Sequence, residues 1–305
     1  MARATVKTDW ISYGAVLALS ITWGASFAIT VIALEGFTPL SIVAGRIGLA
    51  ALVVISAALM LGAGLPRSRN HWGWCLVLGI LSLVFPFGLL TWAVTRIDSS
   101  VVAIFIAAGP LIVLLITRVV LKEPVQPRQW AGFAVGFAGL VLLAGPDVIA
   151  KLGVSAALPQ IACLAAVLSY ALAAITVKKM PEMPPVTATA GALVCAAVIV
   201  LPFAGGSLIQ DIAWGPALAA LAVLGLAQTG LAQLLRFYAV RRAGPVFMST
   251  VGYLIPIWAG LLGVFLLGER WDVRTAASFG LIMLGLLIAR TRPEHRQGAT
   301  GSGAR

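Results

Sequence analysis

The sequence predicts an all-α polytopic membrane protein, with ten transmembrane helices as two inverted five-helix repeats. Three observations carry this. Of 305 residues, 61% are hydrophobic and only 10% charged, where a soluble domain carries about 25% charged residues. The apolar residues fall in runs of about 20, the helical length that crosses roughly 30 Å of hydrocarbon. Landmarks of the first half return in the second at a shift of 146 positions.

The first run, from about Trp10 to Ile32, follows Arg3 and Lys7. It is too long for a signal peptide and no small-residue cleavage site ends it, so it is expected to stay as the first span. The second starts near Pro39 and stops at the polar break of 62–70. The third and fourth start near Trp72 and Asp98, and the fifth near Arg128, after a break over 122–127. A Gly- and Asp-containing stretch, 145–153, separates the halves. The remaining spans start near Leu158, Val186, Trp214, Gly244 and Trp271, with a break over 178–185 between the first two. Trp10, Trp72, Trp74, Trp130, Trp214 and Trp271 lie near span ends, where an interfacial belt places them. No polar stretch is long enough to fold separately. Residues 1–290 are therefore one transmembrane domain, with repeat 1 at about 10–145 and repeat 2 at about 156–290. Residues 291–305 read as a disordered cytoplasmic tail.

The basic balance, +11, has the same meaning. Counted by alternating loop, 16 Lys and Arg gather on one side and 4 on the other, with Arg46 inside a span. That asymmetry orients a membrane protein with both termini in the cytoplasm. Nucleic acid is not expected as a partner, because the basic residues are short loop clusters between apolar runs. The expected partners are a small-molecule substrate and the lipid bilayer, and the expected state is a monomer in the plasma (inner) membrane.

Cys75, Cys163 and Cys195 each sit in an apolar run without a CxxC pair, and His71 and His295 flank spans. Such residues form no metal cluster, so no metal and no cofactor are expected. No Asp, His or Ser/Lys constellation lies inside the spans, which argues against an enzyme.

Under the shift of 146, Pro39 falls on Pro185, Trp92-Ala93 on Tyr238-Ala239, Arg96 on Arg242, Pro110 on Pro256, Leu121 and Glu123 on Leu267 and Glu269, and Gly139 on Gly285. Trp23 falls on Tyr170 at a shift of 147. Five helices is an odd number, so the second copy enters the membrane from the opposite face. Inverted repeats with a site near the midplane are the architecture of secondary transporters.

The order and doubling of Trp23-Gly24-x-x-Phe27, Pro39 with Arg46, Trp92-Ala93, Pro110, Leu121-x-Glu123, Gly132-x3-Gly136-x2-Gly139, Tyr238-Ala239, Gly244-Pro245, Pro256 and Leu267-Gly268-Glu269 resemble the drug/metabolite transporter superfamily, in its ten-helix EamA group. Within it the chain looks most like the YddG-type exporters of aromatic amino acids. That resemblance implies export, by alternating access, of small, partly apolar organic solutes such as aromatic or other neutral amino acids. Alternatives are a broad drug/metabolite carrier with proton coupling, and a solute channel.

Site candidates follow from chemistry. Pro86, Pro110 and Pro256 each remove a backbone donor mid-span, so each can free a carbonyl toward a cavity or hinge a gate. Trp23, Phe27, Phe85, Phe87, Trp92, Tyr170, Tyr253 and Trp258 could stack on an apolar substrate. Gln228 and Gln233 are amides that need partners in a bundle, as do Ser82, Thr91 and Ser249. Arg46 is expected either to pair with Glu35 or Asp98 or to attract a substrate carboxylate. Glu123 and Glu269 are placed to cap the helix that follows each. All ten carboxylates fall in loops or at helix ends. A pathway without an acid points to facilitated movement rather than carboxylate-mediated proton coupling.

Overall fold

The computed structural model describes residues 10–107, 109, 112, 116, 118, 119, 126–144, 154–210, 214–248 and 251–289. No strand occurs among them. The helices are α1 (Trp10–Leu34), α2 (Pro39–Met60), α3 (Arg69–Ala93), α4 (described over Ser99–Ala107), α5 (Pro127–Ala144), α6 (Val154–Lys179), α7 (Pro185–Gln210), α8 (216–248), α9 (Val251–Leu267) and α10 (Val273–Ala289). They occupy the ten spans read from the sequence. The chain is thus a polytopic α-helical membrane protein built of two five-helix repeats.

Local chemistry sets several boundaries. Thr38 caps α2, its Oγ1 accepting the Ser41 amide at 3.2 Å, with Pro39 at the first helical position. Ser68 caps α3 through the His71 amide at 3.1 Å. Between them Gly62 and Gly64 turn the chain with φ of 68° and 66°, a region costly for any residue with a Cβ. The perimeter is apolar: Leu52, Val198, Phe203 and Phe265 are all exposed. Such side chains suit lipid, and the helices satisfy their own backbone groups there.

Packing follows a pseudo-twofold axis. α2 packs on α7 and α5 on α10, each helix meeting its own equivalent. Contacts of α1 with α9 are matched by those of α6 with α4, and contacts of α2 with α8 by those of α7 with α3. Individual residues obey the same relation. A Cβ on Gly139 would lie 2.9 Å from the Ser278 carbonyl, and one on Gly132 would lie 2.5 Å from that of Gly285. Gly132 is the equivalent of Ser278, and Gly139 of Gly285. This reciprocity is the signature of an isologous contact. It also explains the glycines, since α5 and α10 meet backbone to backbone. Gly45 lies against Leu221, and its equivalent Gly191 against Cys75. Those partners are themselves equivalent at the same shift.

Candidate functional site

Among the described residues two helices depart from α geometry, and they are symmetry mates. α3 is π-helical over Ile80–Val84 and α8 over Val223–Leu231. The shift of 146 carries 80–84 onto 226–230, inside the second segment. A π-turn widens the helix and loosens the regular carbonyl pairing. In each repeat a side chain from the neighbouring helix donates to a carbonyl of the widened segment. The Ser169 hydroxyl of α6 donates to the Leu81 carbonyl at 2.7 Å. The Trp23 Nε1–H of α1 donates to the Gln228 carbonyl at 3.1 Å. Pro86 gives the first case a cause. It lies five residues beyond Leu81 and has no N–H to close a π-type bond there.

A cavity of about 600 Å³ lies between these segments. Its wall includes Trp23, Ser26, Phe27 and Thr30 of α1, Arg46 of α2, Ser82, Phe87 and Thr91 of α3, and Tyr170 of α6. α8 supplies Gln228, Thr229, Gln233 and Arg236, and α9 supplies Val251, Gly252 and Ile255. Four pairs in the wall are repeat equivalents: Ser82 with Gln228, Leu83 with Thr229, Phe87 with Gln233, and Leu90 with Arg236. The cavity therefore sits on the pseudo-twofold axis.

Arg46 is the anchored cation. Its Nε–H donates to the Thr229 hydroxyl at 2.7 Å, and its guanidinium lies 4.0 Å from the centre of the Phe87 ring. A guanidinium over a ring in a desolvated site is worth about 2 kcal/mol. Thr229 in turn donates to the Leu224 carbonyl at 2.9 Å, five residues back, a bond the π-segment makes possible. The expected pairing of Arg46 with Glu35 or Asp98 is corrected. Among the described residues neither carboxylate is bonded to it. Arg46 points into the bundle, whereas Glu35 and Asp98 stand beyond the helix ends.

The second correction concerns Glu269. It caps α4, not the helix that follows it. Its Oε1 accepts the Ser99 amide at 2.8 Å and the Ser99 hydroxyl at 2.7 Å, and its Oε2 accepts the Ser100 amide at 3.1 Å. α10 is capped by Asp272, which accepts the Thr275 amide at 2.7 Å. That hydrogen bonding holds the Asp272 carboxyl below its ordinary range. The Asp98 carboxyl, beside Glu269, is raised by burial and then by the Glu269 charge.

Of the sequence candidates, Trp23, Phe27, Arg46, Phe87, Tyr170, Gln228 and Gln233 meet at the cavity, with Ser82 and Thr91. Phe85 does not, being 49% exposed on the perimeter. Trp92 lies at the end of α3 with the Arg96 guanidinium 5.5 Å from its ring centre. Trp258 packs across α1, where a Cβ on Gly24 would lie 2.6 Å from its Cβ. Pro86 and Pro256 are buried, Pro86 directly after the π-segment and Pro256 inside α9 next to the cavity residue Ile255. Pro110, Ser249, Glu123 and the Tyr253 side chain lie outside the described residues.

Sequence reading missed Arg236, which it counted among loop charges. The residue lies in α8 and lines the cavity. A signal was present, for Thr229, Gln233 and Arg236 stand at i, i+4 and i+7, a polar stripe on one helical face. Among the described residues every carboxylate lies outside the helical spans: Glu35, Asp98, Glu182, Glu269 and Asp272.

The EamA-like transporter family matches residues 10–145 and 158–291, one copy on each repeat. The chain belongs to this family. It is 27% identical over 281 residues to the uncharacterized inner membrane transporter YedA of Escherichia coli K12, covering 90% of this chain and 89% of that one. It is 24% identical over 290 residues to a probable terminal-alkyne amino-acid exporter of Streptantibioticus cattleyicolor, covering 92% and 94%. A solved crystal structure shares the fold, with a TM-score of 0.65 over 94% of this chain and 98% of that one, at 20% identity. This member of the family is a solute transporter of the membrane, not an enzyme.

Proposed function

We propose that this EamA-like protein exports small, partly apolar organic solutes, first among them aromatic and other neutral amino acids, by alternating access around the central cavity. The observation that carries the reading is the cavity on the pseudo-twofold axis. About 600 Å³ suits one amino acid with a large side chain. Trp23, Phe27, Phe87 and Tyr170 supply ring faces, and Gln228, Gln233 and Arg46 supply polar anchors. The name of the Streptantibioticus relative, an amino-acid exporter, supports the substrate class. The π-segments are the natural hinges, because a widened turn can tighten to α geometry in one repeat as the other widens. Pro86 keeps a fixed break beside the α3 segment, and Pro256 keeps another within α9. Both termini lie in the cytoplasm by the loop-charge asymmetry. Transport is facilitative, since among the described residues no carboxylate lines the cavity to carry a proton.

Counterflow in proteoliposomes tests this. Vesicles preloaded with unlabelled phenylalanine should accumulate labelled phenylalanine or tryptophan transiently, with saturation and without an imposed pH gradient. Strict dependence on such a gradient would sink the facilitative reading, and unsaturable conductance would replace the carrier by a channel.

A further inference from the structure

Among the described residues the cavity wall carries two guanidiniums, Arg46 and Arg236, and no carboxylate. The sequence agrees for the whole chain, since its ten acids fall in loops or at helix ends. The two cations are held differently. Arg46 is fixed by Thr229 and Phe87. Arg236 has no hydrogen-bond or ion-pair partner among the described residues. It stands seven residues beyond Thr229 on α8, so about 10 Å further along the path. Next to Thr229, the Gln228 side chain is 2% exposed and its Oε1 has no partner. A buried, unanswered amide is costly unless a ligand or water completes it.

We propose that the group recognised in this cavity is a carboxylate on an apolar or aromatic body, and that the solute needs no ammonium. The inference deepens the transport reading and rests on it for the identity of the site. Two cations that face one cavity, Arg46 within the bundle and Arg236 at its exposed part, repel a further cation and attract an anion, so a carboxylate is favoured there and an added ammonium is not. A guanidinium fork matches a carboxylate in plane and spacing. The free guanidinium of Arg236 meets the carboxylate at one level of the path, and the anchored one of Arg46 holds it at the level of the aromatic rings. The Gln228 Oε1 accepts from a hydroxyl or amino group, or from a water, beside the carboxylate. Amino acids fit this description through their carboxylate, and their deaminated counterparts fit it at least as well.

Binding and flux are measured separately. Quenching of intrinsic tryptophan fluorescence in the purified full-length protein reads binding of 3-phenylpropionate, phenylalanine, 3-phenylpropanol and phenethylamine. These probes share a ring and differ in carboxylate and ammonium. The expected order is 3-phenylpropionate at least equal to phenylalanine, with the alcohol and the amine each about tenfold or more weaker. Arg236→Gln should remove about tenfold of the preference for the acid, and Arg46→Lys should retain more of it than Arg46→Gln. Arg236 has no partner to lose among the described residues, so that variant should keep the fold, which a melting curve checks. Equal binding of the amine, no binding of the acid, or an unchanged order in Arg236→Gln would overturn the inference. Counterflow of the same probes distinguishes the two readings. Flux of the alcohol or the amine without the acid sinks the carboxylate alone. Arginine-dependent binding of the acid without any flux sinks transport and leaves the carboxylate site standing.

Discussion

Leu90 and Arg236 stand at the same position of the two repeats, as do Phe87 and Gln233, and Ala192 and Arg46. At each of the first two pairs repeat 1 presents carbon where repeat 2 presents a polar group. The third is reversed, with the cation in repeat 1. The backbones around them match: a Cβ on Gly79 would sit 2.5 Å from the Ala192 carbonyl, and one on Gly225 would sit 3.3 Å from the Arg46 carbonyl. The comparison separates two jobs. Positions that govern how closely helices approach are shared, because both halves must fit one axis. Positions that face the cavity differ, because an identical pair of walls would make a symmetric site, and a single solute is not symmetric. Aromatic and apolar surface with one cation from each repeat suits an amphiphile.

Breaking a shared position should cost most. Gly285→Leu pushes a side chain into the backbone of α5, where even a Cβ would lie 2.6 Å from the Gly132 carbonyl. Overpacking against backbone is expected to cost about 3 kcal/mol or more. The check is the yield of monodisperse protein in detergent; normal yield and melting temperature would show that the seam can part.

A smaller effect is expected where the repeats are stitched together. Glu269→Ala removes the cap on α4 and should lower stability by about 1–2 kcal/mol. Neighbouring Asp98 adds a pH dependence whose sign is fixed. Its carboxyl is raised by burial and by the Glu269 charge. Its ionised form is therefore disfavoured in the folded state, and stability falls as pH rises through its folded-state titration. Thermal melting of the wild type compared with Asp98→Asn should isolate that slope as the difference between the two, since the lowered Asp272 carboxyl contributes one of opposite sign to both. An identical slope in both proteins would place the titrating group elsewhere.

Making the halves more alike sharpens the comparison further. Gln228→Ser gives α8 the residue that α3 carries at Ser82. It removes the unpartnered amide, so stability should hold or rise by up to about 1 kcal/mol while substrate affinity falls. Unchanged affinity would mean that the amide faces the cavity without using it. The smallest effect belongs to Phe85→Ala, on the lipid-facing surface at 49% exposed. Transport should be unaltered, and stability should move by less than about 0.5 kcal/mol. Lost binding in that variant would put the ring in the site.

Much of this was legible before any coordinates. Hydropathy alone located the spans, because lipid forces the backbone into helices of one length and admits few charges. The doubled landmarks revealed the repeat. Most aromatic and amide candidates reached the cavity, since a mid-span Tyr170 or Gln228 has few inexpensive places to go. Phe85 and Phe87 show the limit. They are two residues apart, equally apolar, and on opposite sides of α3.

The sequence by itself determined the membrane class, the helix count, the doubling and the absence of an acid from the spans. Those follow from transfer energies and from a period, which are properties of a chain read in one dimension. Only the tertiary structure decided that Arg46 bonds to Thr229 rather than to Glu35, that Glu269 caps α4 across 170 residues, and that Arg236 belongs to the cavity wall. Each depends on which helix faces which. A paired π-segment and a few glycine contacts settle that, and their consequences appear only when two distant helices touch.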